Sequence, residues 1–372
     1  MADNYGTANF KLGFGLMRLP KLPDGSMDIP QICEMADRFL EAGGTYFDTA
    51  YVYDDGASED AFKRAVVDRY PRDRYTVCTK LNAAMRCHDE ESAKQQFYTS
   101  LERTGAGYFD YYLLHALQRN NYKKYEEYHI WEFVAEQKRK GLIRRYGFSF
   151  HADPELLEEL LRDHPEVDLV QLQINYADME NPGVASRRCL EICRAHGKPV
   201  TVMEPVKGGV LADPIPEVKR ALDSYGSGAS YASWAIRYVA GLKGILVVLS
   251  GMSNLEQMED NLSYMRHFTP LNEKEQETIL QAQAALDQDK SIPCTGCHYC
   301  TKGCPMNIPI PDIFTVANRR KGSAAFRTTR EYNNVTIGRG RASECVQCGQ
   351  CEAACPQHLP IISLLEDCRS ME

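Results

Sequence analysis

The sequence predicts an α/β fold: a (β/α)8 TIM barrel followed by a small, mainly helical, cysteine-rich module. Three observations predict it. Short apolar runs that end in one polar residue alternate with stretches of helical spacing, the pattern of parallel strands covered by helices. Of fourteen cysteines, eight stand near the C-terminal end in two copies of one motif. The 372 residues exceed the ~250 of a typical barrel, which leaves room for such a module.

Residues 11–15 predict the first strand, with Met17 and Arg18 entering its loop. Residues 29–43 carry Ile32, Met35, Ala36, Phe39 and Leu40 at helical spacing and close at Gly43-Gly44. The stretch Tyr46-Phe47-Asp48-Thr49-Ala50-Tyr51-Val52-Tyr53 is a strand that surfaces into a loop at Asp48. Residues 58–70 predict a helix opened by Ser58, with Glu59 and Asp60 in the first turn, where the helix dipole favours acids. Further strands are expected at 75–80, 111–115, 143–150, 167–175, 199–206 and 244–250. Residues 120–128 interrupt the rhythm and are expected to be a solvated loop running into a helix. Cys189 and Cys193, four apart, belong on one packed helix face; Cys33, Cys78, Cys87 and Cys368 serve as small hydrophobes. Residues 271–289, rich in Glu and Gln, form a connecting helix, and the boundary lies near Ser291-Ile292-Pro293. The expected domains are thus 1–270, a connecting helix 271–290, and 291–372.

The net charge of −8 argues against nucleic acid as the main partner. Apolar runs such as 245–249 fall far short of the ~18 residues of a membrane helix, so no membrane partner is expected. The opening MADNYGTANF has neither a basic nor an apolar leader region, so a cytoplasmic setting is expected. In a reducing compartment fourteen cysteines point to metal or redox chemistry, not to disulfides.

Polar residues at the carboxyl ends of barrel strands read as catalytic, and Asp48, Tyr53, Lys80 and His115 can converge there on one pocket. A tyrosine of pKa ~10 holds its proton too tightly for an acid working at neutral pH. A nearby lysine ammonium favours the phenolate and is expected to lower that pKa. An aspartate fixes the lysine, and a neutral histidine can hydrogen-bond a carbonyl oxygen and set its angle. Tyr53 is therefore the expected proton donor, Lys80 its tuner, Asp48 the partner of Lys80 and His115 the orienter.

The motif FDTAxxY at 47–53, the TK at 79–80 and the LLH at 113–115 resemble the aldo-keto reductase family over roughly residues 10–268. The resemblance implies that Asp48, Tyr53, Lys80 and His115 are that family's tetrad. It implies NAD(P)H-dependent reduction of a small aldehyde or ketone to the alcohol, or the reverse. It also places Met17, Ser149, Gln171, Met203, Ser250, Gly251, Ser253, Gln257 and Asn261 around the nicotinamide cofactor. The family's Ser-Asn pair becomes Ser149-Phe150, so the Asn is missing, and Met203 stands where an aromatic usually stacks. Amides of the loop 250–254, with the helix start behind them, can bind a phosphate. Basic residues that many relatives use for the NADP 2′-phosphate are absent at Gly251 and Gln257, which favours NADH over NADPH. A different redox cofactor in this pocket stays open.

The module contains Cys294-x2-Cys297-x2-Cys300-x3-Cys304-Pro305 and again Cys345-x2-Cys348-x2-Cys351-x3-Cys355-Pro356. Three thiolates at such gaps wrap one cluster, and the fourth, before proline, ligates the other cluster in two-cluster ferredoxins. The expected ligand sets of two [4Fe–4S] clusters are Cys294, Cys297, Cys300 and Cys355, and Cys345, Cys348, Cys351 and Cys304. Zinc sites instead use paired C-x2-C knuckles set apart by a longer loop. The segment resembles dicluster ferredoxin modules, and the long spacer with a helix expected at 311–321 favours the α-helical ferredoxin-like type. Arg319, Arg320, Lys321, Arg327, Arg330, Arg339 and Arg341 make the spacer basic. This is either a solvated surface that offsets anionic clusters or a docking face for an acidic electron carrier, a ferredoxin or flavodoxin.

Three functions remain open on these residues. The first is a carbonyl reductase whose clusters exchange single electrons with a partner. The second is a plain carbonyl reductase with structural clusters. The third is an electron-transfer protein whose barrel is a scaffold or holds a different redox cofactor.

Overall fold

The computed structural model describes residues 10–289, 291–319 and 325–372. Eight parallel strands close into a barrel in sequence order: β1 (Leu12–Gly15), β2 (Tyr46–Asp48), β3 (Thr76–Leu81), β4 (Phe109–Leu117), β5 (Ile143–Phe150), β6 (Leu169–Gln173), β7 (Val200–Met203) and β8 (Ile245–Ser250). β8 pairs with β1 through Leu12 opposite Val248, which closes the ring. Helices follow the strands, and their apolar faces meet the outward-pointing strand residues in one large core. The helix Ile29–Glu41, capped by Asp28, buries Ile32, Met35, Ala36, Phe39 and Leu40, the five apolar positions the spacing had marked.

Alternation along each strand sends the other set of side chains inward. Tyr46, Cys78, Tyr111, Leu113, Leu169, Val247 and Leu249 fill the barrel interior as a separate cluster. On β5 the matching inward position is Gly147, where a β-carbon would run into the carbonyl oxygen of Leu169. Cys189 and Cys193 are buried on one face of Ser186–Ala195, as expected.

Two expectations differ. The second helix begins at Ala57 with Gly56 before it and no side-chain cap. Ser58 is buried and turned inward, 2.8 Å from Thr49 Oγ1, and donates to the Leu16 carbonyl at 3.0 Å. Glu59 is likewise buried and accepts from Thr79 at 2.7 Å. Tying the loops below the site outweighs capping at these positions. Within 120–128 a helix forms, Tyr122–Glu127, and Tyr125 inside it is fully buried.

The chain divides into two compact units. One is the barrel through Val206 together with Ala212–Gln283; the other joins Lys207–Leu211 to Ala284–Glu372. The division falls inside the helix Glu273–Leu286. The barrel-side part of that helix is tied down by Arg237, whose guanidinium meets both carboxylate oxygens of Glu275 at 2.7 and 3.0 Å. The second unit has its own core, in which Ile308, Ile313, Phe314, Tyr332, Ile361 and Leu365 are buried. Its helices include Ile310–Arg319, Ala325–Thr336 and Ile361–Cys368. Arg320 and Lys321 of the basic spacer lie outside the described residues. Among the described residues no helix is long and apolar enough to cross a membrane.

Candidate active site and cysteine cavities

The inward layer places the site. Two residues beyond Tyr46, Cys78, Leu113 and Leu169 on their own strands come Asp48, Lys80, His115 and Gln171. Two beyond Gly147 comes Ser149. All five are buried. They therefore form the next layer up, at the carboxyl ends of the strands. Tyr53 joins from the loop after β2, where it opens the short turn Tyr53–Gly56.

Lys80 is the centre of this layer. Its Nζ donates to Asp48 Oδ1 at 2.5 Å and to the Thr49 carbonyl at 2.7 Å, and lies 3.4 Å from the Tyr53 hydroxyl. The second Asp48 oxygen accepts from Gln171 Nε2 at 3.3 Å. The His115 ring stands edge-on to the Tyr53 ring, with centroids 5.7 Å apart. Two contacts hold the His115 backbone. Tyr125 donates its hydroxyl to the His115 carbonyl at 2.5 Å, and the Ala116 amide donates to Ser149 Oγ at 2.7 Å. Ala116 has φ +58°, in an interruption of the β4–β5 ladder. The structure thus brings Asp48, Tyr53, Lys80 and His115 together.

The electrostatics differ from expectation in one respect. Burial, then Asp48, Cys78 and Glu204, push the Tyr53 pKa well above the ordinary tyrosine value, and Arg18 pulls against them. The expected lowering by Lys80 does not prevail. The Lys80 charge is already met by Asp48, and a neutral pair at the edge of an apolar barrel does little for a phenolate. For His115 the expectation of a neutral ring agrees: burial first, then Lys80 and His151, depress its pKa well below the ordinary value.

The remaining cofactor candidates are distributed around the same rim. Met203 ends β7 and is half-buried. Ser250 ends β8 and accepts from Asn261 Nδ2 at 2.7 Å, while Tyr264 donates to Asn261 at 2.5 Å, so Asn261 braces the loop from behind. The Ser253 amide donates to Gln257 Oε1 at 2.8 Å, and Asn254 caps the helix Leu255–Met265. Met17 lies in the short turn Leu16–Arg18 after β1. These groups suit a nicotinamide dinucleotide: hydroxyl and amide side chains at Ser149 and Gln171, a thioether at Met203, and a helix N-terminus behind the last loop.

Sequence reasoning gave no role to three charged or titratable neighbours. Arg18 lays its stem along Gly251, with Cβ and Cδ each 3.6 Å from where a β-carbon would stand. Glu204, in the left-handed region at φ +57°, follows β7, and its carbonyl accepts from Asn175 at 3.1 Å. His151 follows β5 and bears electrostatically on His115. Each stands just past the apolar run of its strand, and the pattern that found Asp48 and Lys80 would have found them.

The cysteines fall into two sets. Cys294, Cys297, Cys300 and Cys355 line one cavity with Ile310, Phe314, Leu359 and Ile361. Cys304, Cys345, Cys348 and Cys351 line another with Met306, Ile308, Ile362 and Leu365. Each set takes three cysteines from one motif and the fourth from the other. Among the described residues no three Cys, His, Asp or Glu side chains are grouped closely enough for a single metal ion. Four sulfurs spaced around an apolar cavity fit a polynuclear cluster better than a tetrahedral ion.

Comparison with known proteins agrees with both units. A model of the Aldo/keto reductase family matches residues 11–284, and one described as a 4Fe-4S dicluster domain matches residues 293–359. An uncharacterized oxidoreductase of Bacillus subtilis is 22% identical over 285 residues, 68% of this chain and 86% of that protein. An NADH-specific methylglyoxal reductase of Escherichia coli is 28% identical over 232 residues, 55% of this chain and 66% of that protein. Among solved structures, an aldo-keto reductase of Bacillus halodurans in its holo form superposes with a TM-score of 0.60 at 24% identity, covering 73% of this chain and 91% of that one. An aldo/keto reductase of Klebsiella pneumoniae, in complex with NADP and acetate, gives 0.59 at 22% identity, covering 72% and 89%. At such identities the solved structures speak for the fold, and the family model for the membership. The chain belongs to the aldo/keto reductase family, as an oxidoreductase that carries a 4Fe-4S domain at its C-terminal end.

Proposed function

We propose that this chain reduces a small aldehyde or ketone to the alcohol, or runs the reverse, at Asp48, Tyr53, Lys80 and His115. The observation that carries this reading is Lys80 Nζ, 2.5 Å from Asp48 Oδ1 and 3.4 Å from the Tyr53 hydroxyl. A bound nicotinamide supplies the hydride. Tyr53 holds the proton that the carbonyl oxygen needs, and Lys80 donates toward the same hydroxyl. Asp48 keeps Lys80 in place with Gln171 behind it. His115, neutral because it is buried beside Lys80, aligns the carbonyl oxygen against Tyr53. The domain limits we assign are 1–270, 271–290 and 291–372.

Ser149, Gln171 and Met203 are the residues expected to hold the nicotinamide ring. Met17, Ser250, Gly251, Ser253, Gln257 and Asn261 would shape the site for the rest of the dinucleotide. NADH is favoured, because Gly251 and Gln257 offer no cation for a 2′-phosphate and a relative bears the name NADH-specific. We further propose two [4Fe–4S] clusters, one per cysteine cavity, which exchange single electrons with a small acidic carrier. A reducing, cytoplasmic setting suits fourteen cysteines, none of them in a disulfide among the described residues.

Tyr53→Phe tests the reading. NAD(P)H-dependent carbonyl reduction is expected to fall by roughly 10²–10⁴-fold, the scale of general acid catalysis, with iron content unchanged. Full activity in that variant would remove Tyr53 as proton donor.

A further inference from the structure

The two cysteine motifs form matching loops, Cys294-Thr295-Gly296-Cys297-His298 and Cys345-Val346-Gln347-Cys348-Gly349. Both take positive φ at the same two places, Gly296 and His298 (62° and 60°) in one, Gln347 and Gly349 (55° and 75°) in the other. Their surroundings differ. Thr295 is 4% exposed and is covered by the Lys207–Leu211 segment, where a β-carbon on Gly208 would collide with the Thr295 carbonyl. Its counterpart Val346 is 58% exposed. Cys297 is half-buried, whereas Cys348 is exposed. The second loop thus leaves a cysteine and its neighbours open to solvent where the first is partly covered, which makes the second set the more accessible of the two.

Charge beside that loop says what would meet it. The Gly340 amide donates to the Asn307 carbonyl at 3.2 Å, and a β-carbon on Gly340 would strike the Met306 carbonyl. Met306 is a wall of the second cavity, so Gly340, between Arg339 and Arg341, packs on that wall. Arg339 is half-exposed and shared with Asp312, and Ile337, two residues earlier, is 75% exposed. An open cysteine loop with arginines beside the wall of its cavity suits an anionic protein that must bring its own redox centre close.

We propose that the Cys304, Cys345, Cys348 and Cys351 set is the chain's electron port, and that loop 346–349 with Ile337 and Arg339 docks a small acidic one-electron carrier protein. This rests on the reading that the cavities hold clusters that exchange electrons with a carrier. The exchange oxidises the carrier by one electron and reduces the iron–sulfur centre by one; no atom or proton crosses.

The test titrates ¹⁵N-labelled oxidised flavodoxin, an acidic carrier, with the full iron-loaded chain. Shift changes on the flavodoxin are expected, and Kd should rise as ionic strength goes from about 0.01 to about 0.15 M and the Debye length shrinks from about 30 to about 8 Å. Ile337→Glu and Arg339→Glu should each raise Kd about fivefold or more, and slow one-electron reduction by flavodoxin hydroquinone by a similar factor. His298→Glu, exposed at the end of the other cysteine loop, should change neither. Dithionite should reduce every variant alike. Wild-type affinity in Ile337→Glu and Arg339→Glu, or equal loss in His298→Glu, overturns the port while leaving the carrier reading intact. Iron-loaded wild type that dithionite reduces but flavodoxin neither binds nor reduces overturns the carrier reading, and the port with it.

Discussion

In the barrel, most polar groups of the candidate site are held by partners that the chain itself supplies: Asp48 by Lys80 and Gln171, the His115 backbone by Tyr125 and Ser149, while the buried His115 Nδ1 has no hydrogen-bond partner among the described residues. The cysteines of the second unit line two cavities in a core of only modest size. The first region is assembled by folding and waits for a ligand. The second places its ligating atoms around space that an inorganic cluster must fill, so part of its folding free energy is expected to come from that cluster. One chain thus combines a preorganised organic site with a unit that is expected to draw stability from its clusters.

Iron removal tests this difference most severely. Chelation, or Cys300→Ser, is expected to unfold much of residues 284–372 and leave the barrel folded. Limited proteolysis would then cut within 284–372 and spare the barrel. If the second unit resists digestion without iron, its apolar core suffices and the contrast fails.

The barrel has its own weak point, the buried ion pair. Lys80→Met leaves the Asp48 carboxylate buried without its cation, a change of the kind that costs about 3–5 kcal/mol. Denaturant unfolding should show that loss. Lys80→Met with Asp48→Leu should recover much of it, because the unpaired charge is then gone. A loss below ~1 kcal/mol in the single variant would mean that water reaches the pair.

The pH dependence sharpens the account of Tyr53. Burial raises its pKa, so the phenol stays protonated through neutral pH and beyond the ordinary value of about 10. Reduction, for which we propose the phenol as acid, is therefore expected to hold level from about pH 6 to about pH 9. His115, depressed below its ordinary value of about 6.5, adds no break in that window. Alcohol oxidation needs the phenolate and should climb about tenfold per pH unit over the same range. Steady-state kcat in both directions reads this. An oxidation plateau below pH 9 would show that Lys80, not burial, sets the proton affinity.

What could be read from sequence followed the physical range of each signal. The cysteine sets were legible because ligand spacing is local, three thiolates within seven residues. That Asp48, Lys80 and His115 share one rim was legible from period-two strands that end in a polar residue. The direction of the Tyr53 shift was not legible, since it depends on how Cys78, Glu204 and the barrel wall enclose the hydroxyl. Nor was the inward turn of Ser58, whose local context matches an ordinary helix cap. The uneven cover on the two cysteine loops was hidden as well, because Gly208 and Thr295 are far apart in sequence.

The smallest expected effect concerns Tyr125, in the segment whose sequence suggested a solvated loop. Its ring is buried and its hydroxyl reaches the His115 carbonyl at 2.5 Å. Tyr125→Phe keeps the packing and removes one hydrogen bond, a change of about 1 kcal/mol. Because that bond holds the backbone of the residue we propose to align the substrate oxygen, the loss should appear in the chemical step: kcat falls about fivefold, KM stays within about twofold, and the melting temperature drops by only a few degrees. Tyr125→Leu, which also removes ring packing, should destabilise much more. If Tyr125→Phe lowers stability without touching kcat, Tyr125 is a core residue alone, and the orientation of His115 is set by the β4–β5 ladder and Ser149.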